Sequence, residues 1–309
     1  MRVVITGGSG LIGSAVAAPL AAEGNEVVVL SRDPARVRGL PAGVRAAHWD
    51  GRSAAGWETL LDGRSAVINL AGEPVAAGRW TAERKRRVRA SRLDAGRAVV
   101  DAVRRAAGEG RAPAVVVQAS GIGYYGDTGD QEIGEDHPPG GDFLAETSVA
   151  WEASTAEVET LGVRRVVLRT GIVLDRGGGA LAKMLPPFRL ALGGPLGNGR
   201  QWFPWIHMAD EVGAILFLLA APAATGPFNL CAPRPARNRD FARALGRQLH
   251  RPSILPAPAP VLRLALGDMA EALLTGQHAE PRRLLEAGYR FCFPDLPEAL
   301  ADLLAQGHA

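Results

Sequence analysis

Three glycines and a small set of hydroxyl groups are the residues here whose types and spacing could do chemistry. Gly7, Gly10 and Gly13 stand three apart in Thr6-Gly7-Gly8-Ser9-Gly10-Leu11-Ile12-Gly13. Gly7 permits a tight turn, Gly10 lets a backbone come against a pyrophosphate, and Gly13 lets a helix pack closely on a sheet. The unpaired N–H groups at the start of that helix, around Leu11 and Ile12, and its partial positive charge would face the phosphates. No Gly-Lys-Ser/Thr follows, which excludes a Walker loop. Farther along, Ser120-Gly121-Ile122-Gly123-Tyr124-Tyr125 places a hydroxyl donor and two phenols directly after the apolar run Ala114–Ala119. Hydroxyl and phenol groups at such a place could hold an oxygen and carry a proton.

The flanking elements fit a nucleotide turn. Arg2–Ile5 is an apolar, β-branched run of strand length. Leu11, Ile12, Ala15, Val16 and Leu20 recur at helical spacing, Gly24-Asn25 stops the helix, and Glu26–Leu30 is a second strand. The residues after that strand should choose the cofactor. An acid there would hold the 2′-hydroxyl of NAD, whereas an arginine accommodates the 2′-phosphate of NADP. The chain has Ser31-Arg32, and Asp33 faces Pro34 as a turn cap. The expected cofactor is therefore NADP rather than NAD. Asp50 ends the short strand Ala46–Asp50 and is either an acceptor for the adenine amino group or a turn aspartate before Gly51.

Strands Ala66–Gly72, Ala114–Ser120, Arg164–Arg169 and Phe228–Leu230 alternate with helices over Thr81–Arg105 and Phe143–Thr160. Such alternation predicts an α/β fold, a Rossmann-type doubly wound parallel sheet, with a smaller, mainly helical C-terminal substrate-side region. The expected division is 1–230 for the nucleotide-binding domain, with loop 174–207 contributing to the substrate cleft, and 231–309 for the C-terminal region. Met208-Ala209-Asp210-Glu211 opens a very apolar helix.

The chain has 309 residues, 47% apolar content and a formal charge of +3. The arginines of helix Thr81–Arg105 have no interleaved aromatics for base stacking, so no nucleic-acid partner is expected. No apolar run spans a membrane, and the strand at Arg2 leaves no room for a signal peptide. Cys231 and Cys292 have no metal-binding spacing. These features predict a cytoplasmic protein that takes a small-molecule substrate, holds no metal, and is a monomer or homodimer.

Several motifs together carry a resemblance. Asn69-Leu70-Ala71-Gly72-Glu73-Pro74, Arg79-Trp80, Ser91-Arg92, Gly123-Tyr124-Tyr125-Gly126, Trp151-Glu152 and the Gly193-to-Asp210 loop resemble a bacterial family of epimerase-like oxidoreductases. That family is of the atypical or extended short-chain dehydrogenase/reductase type. Leu266-Gly267-Asp268-Met269, Gly276-Gln277, Pro281-Arg282-Arg283-Leu284 and Phe291-Cys292-Phe293-Pro294 resemble its C-terminal DUF1731 segment. The resemblance implies an NADP-binding fold in which Leu70, Ala71 and Gly72 pass under the cofactor ribose. It implies that Ser120 holds the substrate oxygen.

One departure stands out. The superfamily's Tyr-x-x-x-Lys is absent, and Ser148 and Glu152 occupy its places. Tyr124 and Tyr125 are then the candidate proton carriers, with packing at the strand end the other reading for Tyr125. Lys183, Trp202 and His207 are candidate substrate contacts, or else a solvated lysine, a packed indole and a structural histidine. The resemblance implies an NADP-dependent oxidoreductase or epimerase-like enzyme acting on a polar hydroxy or carbonyl compound, by analogy a sugar nucleotide. A catalytically silent NADP(H)-binding regulator is the alternative that the missing Tyr and Lys raise.

Overall fold

Val3, Val4 and Ile5 have no polar face to show to water, so the first strand must be covered on both sides, and the whole sheet follows from that. The computed structural model describes residues 1–305; residues 306–309, the end of the expected C-terminal region, lie outside the described residues. Strand β1 (Arg2–Thr6) leads through the glycine turn into α1 (Leu11–Ala22) and returns as β2 (Glu26–Ser31). Then come β3 (Val44–His48), β4 (Ala66–Asn69), α2 (Ala82–Gly108), β5 (Val115–Gly121), the short β6 (Glu132–Ile133), α3 (Phe143–Ala153) and β7 (Arg164–Thr170). After these, β8 (Ile172–Leu174), α4 (Gly179–Arg189), β9 (Trp202–Phe203), β10 (Trp205–His207), α5 (Met208–Ala220) and β11 (Gly226–Leu230) complete the larger part.

Seven strands form one sheet in the order β11-β7-β5-β4-β1-β2-β3. Every neighbouring pair is parallel, with β1 between β2 and β4. Reversal of strand order at β1 and β4 opens a crevice at their carboxyl ends, where ligands of such sheets bind. On one face, Val16 and Leu20 of α1 and Ile215 and Leu218 of α5 pack on Val3, Ile5, Val27 and Val29. On the other, Ala95, Val99 and Val103 of α2 pack on Val4, Val28, Val67 and Val116, with Trp57 filling the edge. Both faces are thus dry, as a parallel sheet requires.

The remaining elements are β12 (Ala236–Arg237), α6 (Asn238–Gln248), α7 (Ala259–Leu266), α8 (Glu271–Leu274), β13 (His278–Ala279), α9 (Arg282–Glu286) and α10 (Leu296–Ala305). They do not pack only on one another. Leu284 of α9 joins the core under β7 and β11, and α6 and α10 share a third apolar cluster with α4, β9 and β10. β13 pairs in parallel with β6, and α7 reaches Trp80 through a bridge at Gly267.

Two expectations need correction. The stretch 174–207 is not all loop: Leu181, Leu185 and Phe188 recur at helical spacing and are buried along α4. The flanking glycines and Pro186-Pro187 hid that period. Helix α3 ends at Ala153 rather than near Thr160. A separate 3-10 turn, Ala156–Leu161, then carries the chain to Gly162, which adopts the left-handed conformation.

Candidate functional site

The glycine turn is built as its spacing requires. Gly7 has φ +67°, and a Cβ there would meet the Leu70 carbonyl at 2.8 Å. A Cβ on Gly13 would strike the Gly7 carbonyl oxygen at 2.5 Å, so helix and turn can close only on glycine. Gly8 is equally constrained, since its Cβ would stand 2.7 Å from the Val29 side chain. Gly10 differs. It is exposed, has an ordinary φ of −81°, and a Cβ there would meet only the Gly7 carbonyl oxygen, at 3.1 Å. No side chain caps α1, so the N–H groups of Leu11 and Ile12 open toward the crevice. A glycine-lined cradle beside an uncapped helix start fits the diphosphate of a dinucleotide.

Beneath the turn runs a buried polar chain. Thr6 Oγ1 donates to Asn69 Oδ1 (2.6 Å), and Asn69 Nδ2 donates to Gln118 Oε1 (2.8 Å). Thr6 Oγ1 also accepts from the Ala71 N–H at 3.2 Å. Thr6 therefore acts from below, fixing Leu70, Ala71 and Gly72 opposite the glycines, and its side chain is fully buried. At the end of β2, Ser31 is half-buried and its Oγ accepts from the Asp33 N–H (3.2 Å), while Asp33 pairs with Arg36. Arg32 is exposed and has no ion-pair partner among the described residues. Asp50 is engaged by its own turn: it accepts from the Arg52 and Ser53 N–H groups, both at 2.8 Å, and from Ser53 Oγ. These bonds hold its carboxyl below the usual carboxylate range. The turn reading of Asp50 explains its geometry without a nucleotide.

At the carboxyl end of β5, Ser120 Oγ donates to Glu152 Oε1 at 2.6 Å. Glu152 occupies the place where the resemblance leads one to expect lysine. Its charge is met by Arg169 of β7, whose Nε and Nη2 donate to the two carboxylate oxygens at 2.9 and 3.0 Å. Arg169 Nη1 donates to the Tyr125 hydroxyl and to the Glu135 carbonyl, each at 2.9 Å. Its guanidinium also lies 3.5 Å from the centre of the Tyr124 ring. One arginine thus ties serine, carboxylate and both tyrosines together. Arg169 was not singled out from the sequence; the available signal was a cation ending the buried run Val166-Val167-Leu168, paired with the carboxylate that stands in a lysine's place.

The two tyrosines are not equivalent. Tyr125 is 2% exposed, and its hydroxyl donates to Asn229 Oδ1 at 2.7 Å while accepting from Arg169. Burial pushes its phenol up to about 12, the nearby guanidinium only partly opposing this. Packing and hydrogen bonding account for Tyr125. Tyr124 is half-buried, and its hydroxyl makes no hydrogen bond to any described residue. Of the two phenols, Tyr124 has the one available to a ligand.

The substrate candidates scatter. Lys183 on α4 is exposed and donates to the Ala76 carbonyl at 2.8 Å, tying α4 to the loop after β4. Trp202 is sandwiched, with His278 stacked at 3.8 Å on one side and Arg237 at 4.3 Å from its ring. It belongs to the contact between β9 and the C-terminal segment. His207 is not brought to the crevice. Its Nδ1 accepts from the Ala209 N–H to cap α5, its ring stacks on Phe293, and Nε2 lies 3.3 Å from Asp302 of α10. Burial lowers its tendency to protonate, against the pull of Asp302. The physical reason for both corrections is that β9 and β10 lead into the third apolar cluster, which the C-terminal helices cover.

A cavity of about 440 Å³ opens beside Tyr125. Trp80 and Phe143 meet edge to face across it, and Asp268, Glu271 and Thr275 of the C-terminal segment form its far wall. Lys85 of α2 bridges the wall by pairing with Asp268 at 2.5 Å. Among the described residues no group of His, Cys, Asp or Glu could hold a metal ion, and no helix is long and apolar enough to cross a membrane.

Known proteins resemble this arrangement over the full length. The NAD dependent epimerase/dehydratase family matches residues 3–231, and a domain of unknown function, DUF1731, matches residues 257–303. The mouse (Mus musculus) epimerase family protein SDR39U1 is 40% identical over 309 residues, covering 99% of this chain and 100% of the relative. Epimerase family protein Mb2239 of Mycobacterium bovis is 40% identical over 299 residues, 96% of each chain. The crystal structure of human SDR39U1 (isoform 2) with NADPH superposes with a TM-score of 0.88 at 37% identity, covering 99% of both chains. A nucleoside-diphosphate sugar epimerase from Corynebacterium glutamicum superposes at 0.75 with 29% identity, covering 99% of this chain and 58% of that one. With its glycine turn, parallel sheet and C-terminal DUF1731 segment, and with SDR39U1 epimerase family proteins matching it from end to end, the chain belongs to the NAD dependent epimerase/dehydratase family.

Proposed function

We propose that this protein is an NADP(H)-dependent oxidoreductase or epimerase-like enzyme of the atypical short-chain type, acting on a polar hydroxy or carbonyl compound. The observation that carries the proposal is the Ser120–Glu152–Arg169 constellation at the crevice, with Tyr124 over the same guanidinium. A protein that only bound a nucleotide would have no need to hold a serine hydroxyl in a buried carboxylate–arginine frame. NADP(H) is the preferred cofactor because Arg32 is exposed and unpaired where a 2′-phosphate would lie; the human relative crystallised with NADPH accords with this. NAD is the weaker ligand in this reading.

When bound, the nicotinamide supplies or accepts the hydride. The chain's own residues do the rest. Ser120 Oγ donates its hydrogen bond to Glu152, which leaves its lone pairs to accept a hydrogen bond from a substrate hydroxyl. Tyr124, whose hydroxyl has no partner among the described residues, exchanges a proton with the substrate oxygen. Trp80, Phe143 and the C-terminal wall line the cavity beside Tyr125 and would shape what fits there. By fold analogy a sugar nucleotide belongs to the substrate class. The protein is expected in the cytoplasm, as monomer or homodimer.

A catalytically silent NADP(H)-binding regulator is the second reading, favoured by Ser148 and Glu152 at the Tyr and Lys places and by the engaged Tyr125 hydroxyl. The test is oxidation of protein-bound NADPH by fractions of a metabolite extract, followed by absorbance. Turnover with one fraction that disappears in Tyr124→Phe supports the enzyme. Micromolar NADPH binding without turnover in any fraction leaves the regulator.

A further inference from the structure

We infer that the paired turns at residues 189–192 and 250–255, with helix α7 beside them, form a membrane-contact surface whose partner is an anionic bilayer face, on which the protein lies without crossing it.

The sequence separates charge here. No aspartate or glutamate stands between Asp175 and Asp210, and the cations of that stretch are Arg176, Lys183, Arg189 and Arg200. None stands between Asp240 and Asp268 either, where Arg243, Arg247, Arg251 and Arg263 are found. The same two stretches hold most of the large apolar side chains that the described residues show to water. Leu190, Leu192, Ile254, Leu255, Val261 and Leu264 are 49–79% exposed, whereas Met1, Val149 and Leu285 stand singly on other elements.

The fold brings the two stretches together. Arg251 Nε donates to the Arg189 carbonyl at 3.2 Å, the Leu255 N–H to the Gly193 carbonyl at 3.4 Å, and the Ala257 N–H to the Pro195 carbonyl at 2.9 Å. Residues 189–195 and 251–257 therefore run side by side, and their exposed leucines and isoleucine make one apolar strip. Both turns are held in unusual shapes. Ala191 has φ +59° and His250 φ +53°, and no other non-glycine residue among those described has a positive φ. Such backbones persist only where their surroundings impose them. Helix α7 follows directly, and none of its residues is buried. Val261 and Leu264, three residues apart, share a face of it. A helix this apolar would ordinarily lay its leucines on a core.

The charge says what covers the strip. Arg189 and Arg247 are exposed and have no ion-pair partner among the described residues. Arg243 meets only Asp240, at 3.7 Å, and Arg263 pairs with Glu271 at 2.7 Å. Apolar tips beside unneutralised arginines match a leaflet with anionic headgroups over a hydrocarbon interior. Protruding tips also need no matching hollow in a fluid bilayer. A second copy of the chain fits less well, because a two-fold contact would set the same arginines against each other. Gly267, just after α7, bridges to Trp80 of the cavity wall, so the contact surface is continuous with the cavity.

The test is flotation of the full chain with two vesicle preparations, phosphatidylcholine alone and phosphatidylcholine with about one third phosphatidylserine. The wild type should bind the anionic vesicles at least about tenfold better than the neutral ones, and added salt should release it. Leu190→Ser/Ile254→Ser should weaken that binding by about tenfold or more, and Arg189→Gln by about fivefold. These side chains already face water, so both variants should fold as the wild type does, which circular dichroism checks. No binding of the wild type to the anionic vesicles, equal binding to both preparations, or variants that float as the wild type does, overturns the inference. A wild-type dimer on size exclusion that the double serine variant makes monomeric gives the face to a second copy and overturns it as well.

Discussion

Glu152 grips Arg169 through both carboxylate oxygens, and the same carboxylate accepts a hydrogen bond from the Ser120 hydroxyl. With side-chain exposures of 14% and 5%, the pair is shielded from water and salt. Arg169→Met would leave the carboxylate buried and unpaired, which costs about 3–5 kcal/mol. Adding Glu152→Gln to that variant should recover much of the loss, because no charge then remains to be satisfied. Urea denaturation of the two variants decides it; a single variant within 1 kcal/mol (~1) of wild type would show the pair to be solvated.

Arg32→Ala should remove most of a preference for NADPH over NADH. The guanidinium is exposed and has no partner of its own, so nothing competes with a phosphate for it. A charge-assisted contact of this kind contributes about 1.5–3 kcal/mol, or at least tenfold in Kd. Equal dissociation constants for both nucleotides in the wild type would refute the assignment.

Gly10→Val should abolish NADPH binding without unfolding the protein. The φ of −81° suits any residue, and the only close neighbour of an added Cβ is the Gly7 carbonyl oxygen at 3.1 Å. The same change at Gly13 would collide with backbone at 2.5 Å and should unfold the turn instead. Circular dichroism and NADPH titration on the two variants separate a binding glycine from a packing one. Normal titration by a folded Gly10→Val protein would disprove the cradle.

Stability should fall as pH rises, through Glu211. This carboxyl is fully buried on α5, accepts from Thr170 Oγ1 at 2.9 Å, and has a second oxygen without a partner. Burial pushes it up to about 8 from an ordinary 4.5. Between those values the folded chain holds a proton that the unfolded chain has released. Unfolding free energy therefore decreases with rising pH over that window, by at most ~1.4 kcal/mol per unit, and levels off above it. Glu211→Gln should flatten this part of the profile. Parallel profiles for variant and wild type would mean that Glu211 is ionised in the fold.

The first unit was legible because local rules agree there. The β-branched run, the glycines and the stop at Gly24 all point to β1-α1-β2, and Thr81 caps α2 by accepting from the Arg84 N–H. What the sequence could not show depended on distant partners. Arg169 is one arginine among many until β7 sets it beside α3, and His207 looks like a cleft residue until α10 covers it. Tyr124 and Tyr125 are adjacent and chemically identical, and the inward partners of the Tyr125 hydroxyl, Asn229 and Arg169, tell them apart.

That dependence on distant partners also decides the fate of a chain cut after Ala257. Two roles meet in the removed segment. Asp268, Glu271 and Thr275 wall the cavity beside Tyr125, as the expected cap over the substrate side would. Leu284, however, is fully buried in the main core, and Leu296, Leu300 and Leu303 are 6% exposed or less against α4 and α6. Each such side chain contributes roughly 1.5–3 kcal/mol by leaving water, against a total stability of about 5–15 kcal/mol for a domain. The segment also supplies β13, which pairs with β6 in a separate two-stranded sheet, and its Phe293 covers the His207 ring. The truncated protein should therefore be insoluble or unfolded, rather than a folded nucleotide binder with an open cleft. Lys85→Ala tests the cap alone, because it frees Asp268 without touching those leucines; it should leave thermal stability near wild type while loosening the cavity wall to hydrogen exchange. A truncated chain that stayed soluble and bound NADPH with unchanged affinity would show that the larger part folds by itself.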